Sequence, residues 1–465
     1  MKMGSFIAGG LLLCGLLLCL VNAISVVNAL DNSNAKPDST DPALMWIQPY
    51  LIYPNDPTKM EILCETDKGI ANDNNHIYID ISGADRSPVT DWTRSYKTIP
   101  IQGKPDRRLW TFEIKNLNAD QVYDYQIYYR NNDGNAYNHT PVYNFSTGPD
   151  QKTNPRQLEF ATFGDTRAYT QADRDHINKV AKALEQHLTQ NTAFVLHTGD
   201  LVPYGGDNGK GSDTWQTDYF DTDVRNWMHH LPLFTTLGNH DFAGVPDNPL
   251  EYYYSYFPYP MYEGRNGMDT DTYYYSFDWG PAHFVSLDSF PLNKLANKDP
   301  NSAQYKWLEK DLASTDRKWK IAFMHVPFYI STDCHARDDE GRTYFQPLFE
   351  KYGVNLVLAG HAHWYSHTVV NGTPYLILGG GGASLTDPKC GDSTDHKCQI
   401  CDKNCHKCNK DNPCLNSVCH DFVAYEKHHF AYFTINGNEM ACKVIDENSS
   451  TIDEFSIYLP PPPSH

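Results

Sequence analysis

Five short apolar runs in this chain each stop at a side chain able to bind a metal ion, four of them by way of a glycine. That recurrence constrains the fold more than any other feature. The runs read Leu158-Glu-Phe-Ala-Thr-Phe-Gly-Asp165, Phe194-Val-Leu-His-Thr-Gly-Asp200, Leu233-Phe-Thr-Thr-Leu-Gly-Asn-His240, Ile321-Ala-Phe-Met-His325 and Asn355-Leu-Val-Leu-Ala-Gly-His-Ala-His363. Apolar runs of this length, closed by turn residues, read as interior strands. Open α/β sheets bind ligands outside the carboxyl ends of their strands, so five such ends can converge on one crevice.

Helical patterns separate these strands. Ile177, Val180, Ala181 and Leu184 recur at helical spacing across 172–190, and Trp307, Leu308 and Leu312 share a face across 302–312 with Ser302 as cap. The tyrosine-rich stretch 251–278 reads as wall and sheet packing. Upstream, over 42–150, the pattern changes to short strands such as Lys59–Glu65, His76–Ile81 and Leu109–Ile114, which predict a β-sandwich. Leu117, Tyr123, Tyr125 and Ile127 alternate there in the manner of a fibronectin III-like tyrosine corner. A polar linker at 148–155 with two prolines marks the boundary, and the α/β part then runs over 155–458. It is interrupted by a Cys-rich insert at 390–419, after which strand patterns return.

The 465 residues carry 38 basic against 57 acidic side chains, a net charge of −19, with no cationic run. Phosphate-backbone binding needs clustered positive charge, so nucleic acid is not an expected partner; a small phosphorylated substrate is. Residues 1–29 read as a signal peptide, an apolar core followed by small residues at Ala23 and Ala29; an uncleaved anchor is the alternative. Cleavage leaves no stable membrane insertion and a secreted or lumenal protein. Glycosylation acceptors at Asn138, Asn144, Asn371 and Asn448 fit that route. Of 12 cysteines, Cys14 and Cys19 leave with the signal, so 12 − 2 = 10 remain, an even number that reads as disulfides in an oxidising compartment. Cys398, Cys401, Cys405 and Cys408 are read the same way rather than as a zinc site, whose cysteine pairs usually stand further apart.

Together the strand ends supply Asp165, Asp200, Asn239, His240, His325, His361 and His363. Carboxylate, amide oxygen and imidazole in this mixture suit first-row transition ions better than calcium. In order, Gly-Asp, Gly-Asp, Gly-Asn-His-Asp, a lone His and Gly-His-Ala-His resemble the calcineurin-like metallophosphoesterase superfamily. The sandwich in front, the segment Tyr274–Ser289 and the spacing Gln304-x-x-Trp-Leu-x-x-Asp-Leu312 are similar to purple acid phosphatases.

The resemblance implies a four-layer α/β/β/α catalytic sandwich behind the N-terminal β-sandwich, and two metal ions, Fe, Zn or Mn. It implies Asp165 and His363 on a first ion, Asp200 bridging, and Asn239, His325 and His361 on a second. Such a pair lowers the pKa of a shared water until it can attack phosphorus in line. His240 resembles the family's acid for the leaving group, with Asp241 to orient it, and His335 stands at the offset of a second substrate histidine. Two positions depart from the family. Tyr204 comes one residue late for the iron-binding tyrosine, whose place is Pro203. Arg167 stands where purple acid phosphatases have glycine and other members a ligand histidine, and reads as a phosphate clamp. The implied function is hydrolysis of phosphate monoesters; the alternatives are a phosphodiesterase or nucleotide pyrophosphatase, and a catalytically silent extracellular structural protein. The resemblance also allows a homodimer.

Overall fold

The computed structural model describes residues 44–101, 104–130, 137–150, 157–205, 213–242, 251–259, 274–289, 298–331, 337–388, 397–401 and 419–460. The leader, His335, Cys334 and most of the Cys-rich insert lie outside the described residues.

Eight strands come first: β1 (Met45–Ile52), β2 (Met60–Asp67), β3 (Ile77–Gly83), β4 (Trp92–Ile99), β5 (Arg107–Ile114), β6 (Val122–Tyr129), β7 (Asn138–His139) and β8 (Tyr143–Ser146). They form one sheet in the order β1-β2-β5-β4 and a second in which β3, β7 and β8 all pair with β6. The period of two sends Ile77, Ile79 and Ile81 inward from β3 and Tyr123, Tyr125, Ile127 and Tyr129 inward from β6. The Tyr123 hydroxyl accepts the Asn118 N–H at 2.8 Å, the corner that the sequence pattern predicts.

The C-terminal part holds β9 (Gln157–Phe163), β10 (Thr192–His197), β11 (Leu233–Thr235), β12 (Tyr275–Trp279), β13 (Ala282–Leu287), β14 (Trp319–Met324), β15 (Leu356–Ala359), β16 (Tyr365–Val370), β17 (Thr373–Leu378), β18 (Lys397–Cys401), β19 (Cys419–Tyr425), β20 (His429–Asn436), β21 (Glu439–Asp446) and β22 (Thr451–Tyr458). They make a six-stranded sheet, β11-β10-β9-β20-β21-β22, and an eight-stranded one, β12-β13-β14-β15-β17-β16-β19-β18. β9, β10 and β11 run parallel in the first, and β13, β14, β15 and β17 in the second.

Aromatic side chains join the two sheets. Phe160 of β9 stacks on Phe433 of β20 at 4.8 Å and turns its edge to Phe284 of β13 at 5.3 Å, while Phe234 of β11 stacks on Phe277 of β12 at 3.8 Å. Helices cover the outer faces. Gln171–His187 starts with a Thr170/Asp173 capping box and buries Ile177, Val180, Ala181 and Leu184. Ala303–Ser314, capped by Ser302, buries Leu308 and Leu312, and Asp339–Tyr352 adds Phe345, Leu348 and Phe349 to the same cluster. The layers are α/β/β/α.

Within the tyrosine-rich stretch, Tyr253, Tyr256, Tyr259, Tyr274 and Tyr275 are buried wall, and one of them has a specific task. The Tyr259 hydroxyl donates to the Leu233 carbonyl at 2.7 Å and accepts the Thr235 N–H at 3.1 Å, so it stands where a further strand would pair with the edge strand β11. Where the N-terminal sandwich meets the C-terminal part, a buried Arg107 reaches Glu65 at 3.0 Å and Gln216 at 2.7 Å. Tyr256 donates to Glu65 at 2.9 Å, and Tyr125 to the His229 carbonyl at 3.0 Å.

The cysteine expectation needs one correction. Cys64 on β2 and Cys442 on β21 are free thiols. Each is fully buried on its own strand, and burial pushes both thiol pKa values up. The even count therefore does not place all ten in disulfides. Among the described residues, no helix is long and apolar enough to cross a membrane.

Candidate metal centre

All five strand ends meet. Asp165 follows β9, Asp200 follows β10, and Asn239 and His240 follow β11, all from one sheet; His325 follows β14, and His361 and His363 follow β15, from the other. Asp165, Asp200 and His361 have left-handed backbones, with φ of 60°, 58° and 70°. Non-glycine residues hold that conformation at a cost of about 1–3 kcal/mol, and it concentrates at functional sites. The glycines at the turns admit close approach. A Cβ on Gly238 would lie 2.2 Å from the Asp200 nitrogen, and one on Gly360 would lie 2.5 Å from Asp165 Oδ2.

One group of donors is tightly gathered. Asn239 Oδ1 lies 3.1 Å from His325 Nε2 and 3.0 Å from His361 Nδ1, these two nitrogens are 3.2 Å apart, and Asp200 Oδ1 is 3.4 Å from His325 Nε2. The Thr198 carbonyl holds His325 Nδ1 at 2.8 Å and the Ser384 carbonyl holds His363 Nδ1 at 2.8 Å, which turns both Nε2 atoms inward. Burial works to strip His325 of its proton, yet Asp200 and Asp165 carry its pKa up to about 9. Burial also opposes ionisation of Asp200, but His325, His240 and Arg167 hold its pKa well below the usual carboxylate value. Asp165, Asp200 and His325 each offer an atom within 4.8 Å of the others. A buried cluster of lone pairs that demands positive charge fits a metal ion held by Asp200, Asn239, His325 and His361.

The other side of Asp200 differs. His363 Nε2 is 3.5 Å from Asp165 Oδ1, a buried oxygen without a hydrogen bond. The Arg167 guanidinium reaches into the same space, with Nε 3.3 Å from Asp200 Oδ2 and Nη2 3.1 Å from His363 Nε2. Asp165, Asp200 and His363 have the chemistry for a first ion, and Arg167 already stands against two of them.

His240 is placed by backbone. Its N–H donates to Asp200 Oδ1 at 2.8 Å, its Nδ1 meets the Pro203 carbonyl at 2.9 Å and the Tyr169 hydroxyl at 3.2 Å, and its Nε2 is 4.0 Å from Asp200 Oδ2. Burial lowers its pKa, against the pull of Asp200. The expectation that Asp241 orients this imidazole is corrected. The buried Asp241 carboxylate accepts the N–H groups of Asp200 at 3.0 Å, Leu201 at 2.7 Å, Val202 at 3.4 Å and Gly238 at 2.8 Å, so it shapes the Asp200 turn instead. Tyr204 meets Tyr169 edge-on at 5.6 Å. Sequence reasoning missed Thr198, Pro203 and Ser384, which act through carbonyls and so leave no side-chain signal. It also missed Tyr169, half exposed beside His240.

A family model for calcineurin-like phosphoesterases matches residues 158–365, the span that contains every candidate ligand named above. Purple acid phosphatase 15 of Arabidopsis thaliana is 31% identical over 301 residues, covering 58% of this chain and 52% of that protein. Purple acid phosphatase 22 of the same plant is 27% identical over 345 residues, covering 67% and 72%. The chain spans about half the length of the first of these and of others it matches. The solved structure of purple acid phosphatase PPD1 from yellow lupin (Lupinus luteus) superposes with a TM-score of 0.64 at 19% identity, over 88% of this chain and 74% of that one. At that identity the likeness speaks for the fold, a sandwich joined to a four-layer domain. Motif order, family match and architecture agree: residues 158–365 match the calcineurin-like phosphoesterase family, and the chain around them is similar to purple acid phosphatases in sequence and in fold.

Proposed function

We propose that this protein is a secreted or lumenal metal-dependent phosphatase that hydrolyses small phosphate monoesters. One observation carries the reading: donors from two sheets, Asp200 and Asn239 on one side and His325 and His361 on the other, converge within 3.0–3.4 Å beside an imidazole tethered by backbone. When bound, the ions supply an activated water and neutralise the phosphate oxygens. The chain supplies the rest. Asp165 and Asp200 make the crevice repel a phosphate until cations balance them, so activity depends on metal. His240 gives its Nδ1–H to the Pro203 carbonyl, which leaves Nε2 to carry the proton that the departing oxygen needs. Water oxygen joins phosphorus, the ester bond breaks, and the alcohol leaves with the proton of His240. Arg167 and His335, the latter outside the described residues, are the proposed donors to the phosphate.

The test supplies Fe, Zn or Mn to the purified protein and compares p-nitrophenyl phosphate with its bis ester. Preference for the monoester, and a loss of at least about a thousandfold in Asp200→Asn, is expected; a protein inert toward both esters with every metal overturns the proposal. The visible spectrum of the iron form reads Tyr204 directly, because a phenolate on ferric iron gives a charge-transfer band.

A further inference from the structure

We propose that Arg167 is an internal competitor for the first metal ion, so that the two positions fill in sequence: the Asn239/His325/His361 position takes a resident ion, and the Asp165/His363 position loads only when the guanidinium is displaced. The inference rests on reading the cluster as a metal centre and concerns how that centre is filled.

Asp200 divides its two oxygens. Oδ1 faces His325 at 3.4 Å and takes the His240 N–H at 2.8 Å, whereas Oδ2 is 3.3 Å from Arg167 Nε. Arg167 Nη2 lies 3.1 Å from His363 Nε2, the nitrogen that also faces Asp165 Oδ1 at 3.5 Å. The guanidinium thus engages Asp200 Oδ2 and His363 Nε2, two of the lone-pair donors a first ion needs, and it brings its own positive charge to them. The Asn239 side differs in kind, because Asn239 Oδ1, His325 Nε2 and His361 Nδ1 meet one another at 3.0–3.2 Å, lone-pair donors that a single ion can gather.

Charge counting points the same way. Asp165, Asp200 and Arg167 sum to about −1, which one divalent ion turns to about +1. A second ion beside an unmoved arginine raises the same buried space to about +3, where low dielectric makes like charges repel strongly. The second ion therefore enters by exchange. Arginine keeps its charge at every accessible pH, so the competition is set by geometry rather than by protonation. The Tyr169 ring, 5.3 Å from the Arg167 guanidinium carbon and half exposed, stands at the mouth of the site beside it.

The experiment is calorimetric titration of Zn²⁺ into chelator-stripped full-length protein, with bound metal counted by elemental analysis. Wild type is expected to take one tight equivalent and a second at least about a hundredfold weaker. Arg167→Ala should bring the two affinities within about tenfold, and His363→Ala should abolish only the weak one. Two equivalents of like affinity in wild type, or a second affinity unchanged in Arg167→Ala, overturn the proposal. Failure of every form to bind zinc overturns it together with the metal-centre reading. Ordered binding by a protein that hydrolyses no ester upholds this inference while the phosphatase reading falls.

Discussion

His283, on β13, is gripped by two carboxylates: Nδ1 lies 2.7 Å from Asp278 Oδ1 and Nε2 lies 2.8 Å from Asp311 Oδ2. Arg317 shares Asp278 at 3.2 Å, and the Ser276 hydroxyl donates to Asp311 at 2.8 Å. Burial works against the imidazolium, but the hydrogen bonds to Asp278 and Asp311 prevail and raise the pKa from 6.5 to about 9. That difference corresponds to roughly 3 kcal/mol in favour of the folded, protonated form. The 31% exposure of Asp278 screens part of it, leaving about 2 kcal/mol. The sign follows from a folded pKa above the unfolded one. The stabilisation is complete below about pH 6.5 and is lost as pH rises through about 9. The assay is urea unfolding of wild type and His283→Gln from pH 6 to 9.5, urea being chosen to keep ionic strength low. The stability gap should shrink by about 2 kcal/mol across that range. A gap that stays constant, or widens toward high pH, refutes the reasoning.

Three further outcomes are expected. His240→Gln should lower kcat by about 10²–10⁴, with a larger loss for an alkyl phosphate than for p-nitrophenyl phosphate, because only a poor leaving group needs the proton; equal losses for the two would assign His240 a positioning task. Gly238→Ala, whose methyl would sit 2.2 Å from the Asp200 nitrogen, should cost about 1–3 kcal/mol in thermal unfolding and weaken zinc retention, and unchanged retention would mean that the turn has room to shift. Tyr123→Phe removes the hydroxyl that caps Asn118 N–H and should cost about 1 kcal/mol of stability with no change in KM, an outcome read from unfolding and initial rates together.

What the sequence disclosed follows a physical pattern. Interior strands are apolar along their whole length, and the residues that follow them must turn sharply, so β9, β10, β11, β14 and β15 could be read together with their polar ends. The helix at Gln171–His187 lies within three residues of its expected bounds because an apolar stripe of Ile177, Val180, Ala181 and Leu184 marks its buried face. The role of Asp241 could not be read, since its partners are four backbone N–H groups and a carboxylate beside a histidine looks in sequence like its orienting partner. The carbonyls of Thr198 and Ser384 were silent for a related reason: every residue has one, and only the fold selects which faces an imidazole. Cys64 and Cys442 show the limit of counting, because a thiol on an inward strand position behaves as a small apolar side chain.

The seam around Arg107 has a consequence for how such a protein is inherited. Arg107 and Glu65 are 4% and 0% exposed, and they meet Gln216 and Tyr256 across the join. Severed there, the sandwich would carry a desolvated charge pair suddenly opened on one flank, and the other half would show water a tyrosine hydroxyl and an amide that had been spoken for. A front module exchanged alone would have to offer Gln216 and Tyr256 a matching pair of buried charges.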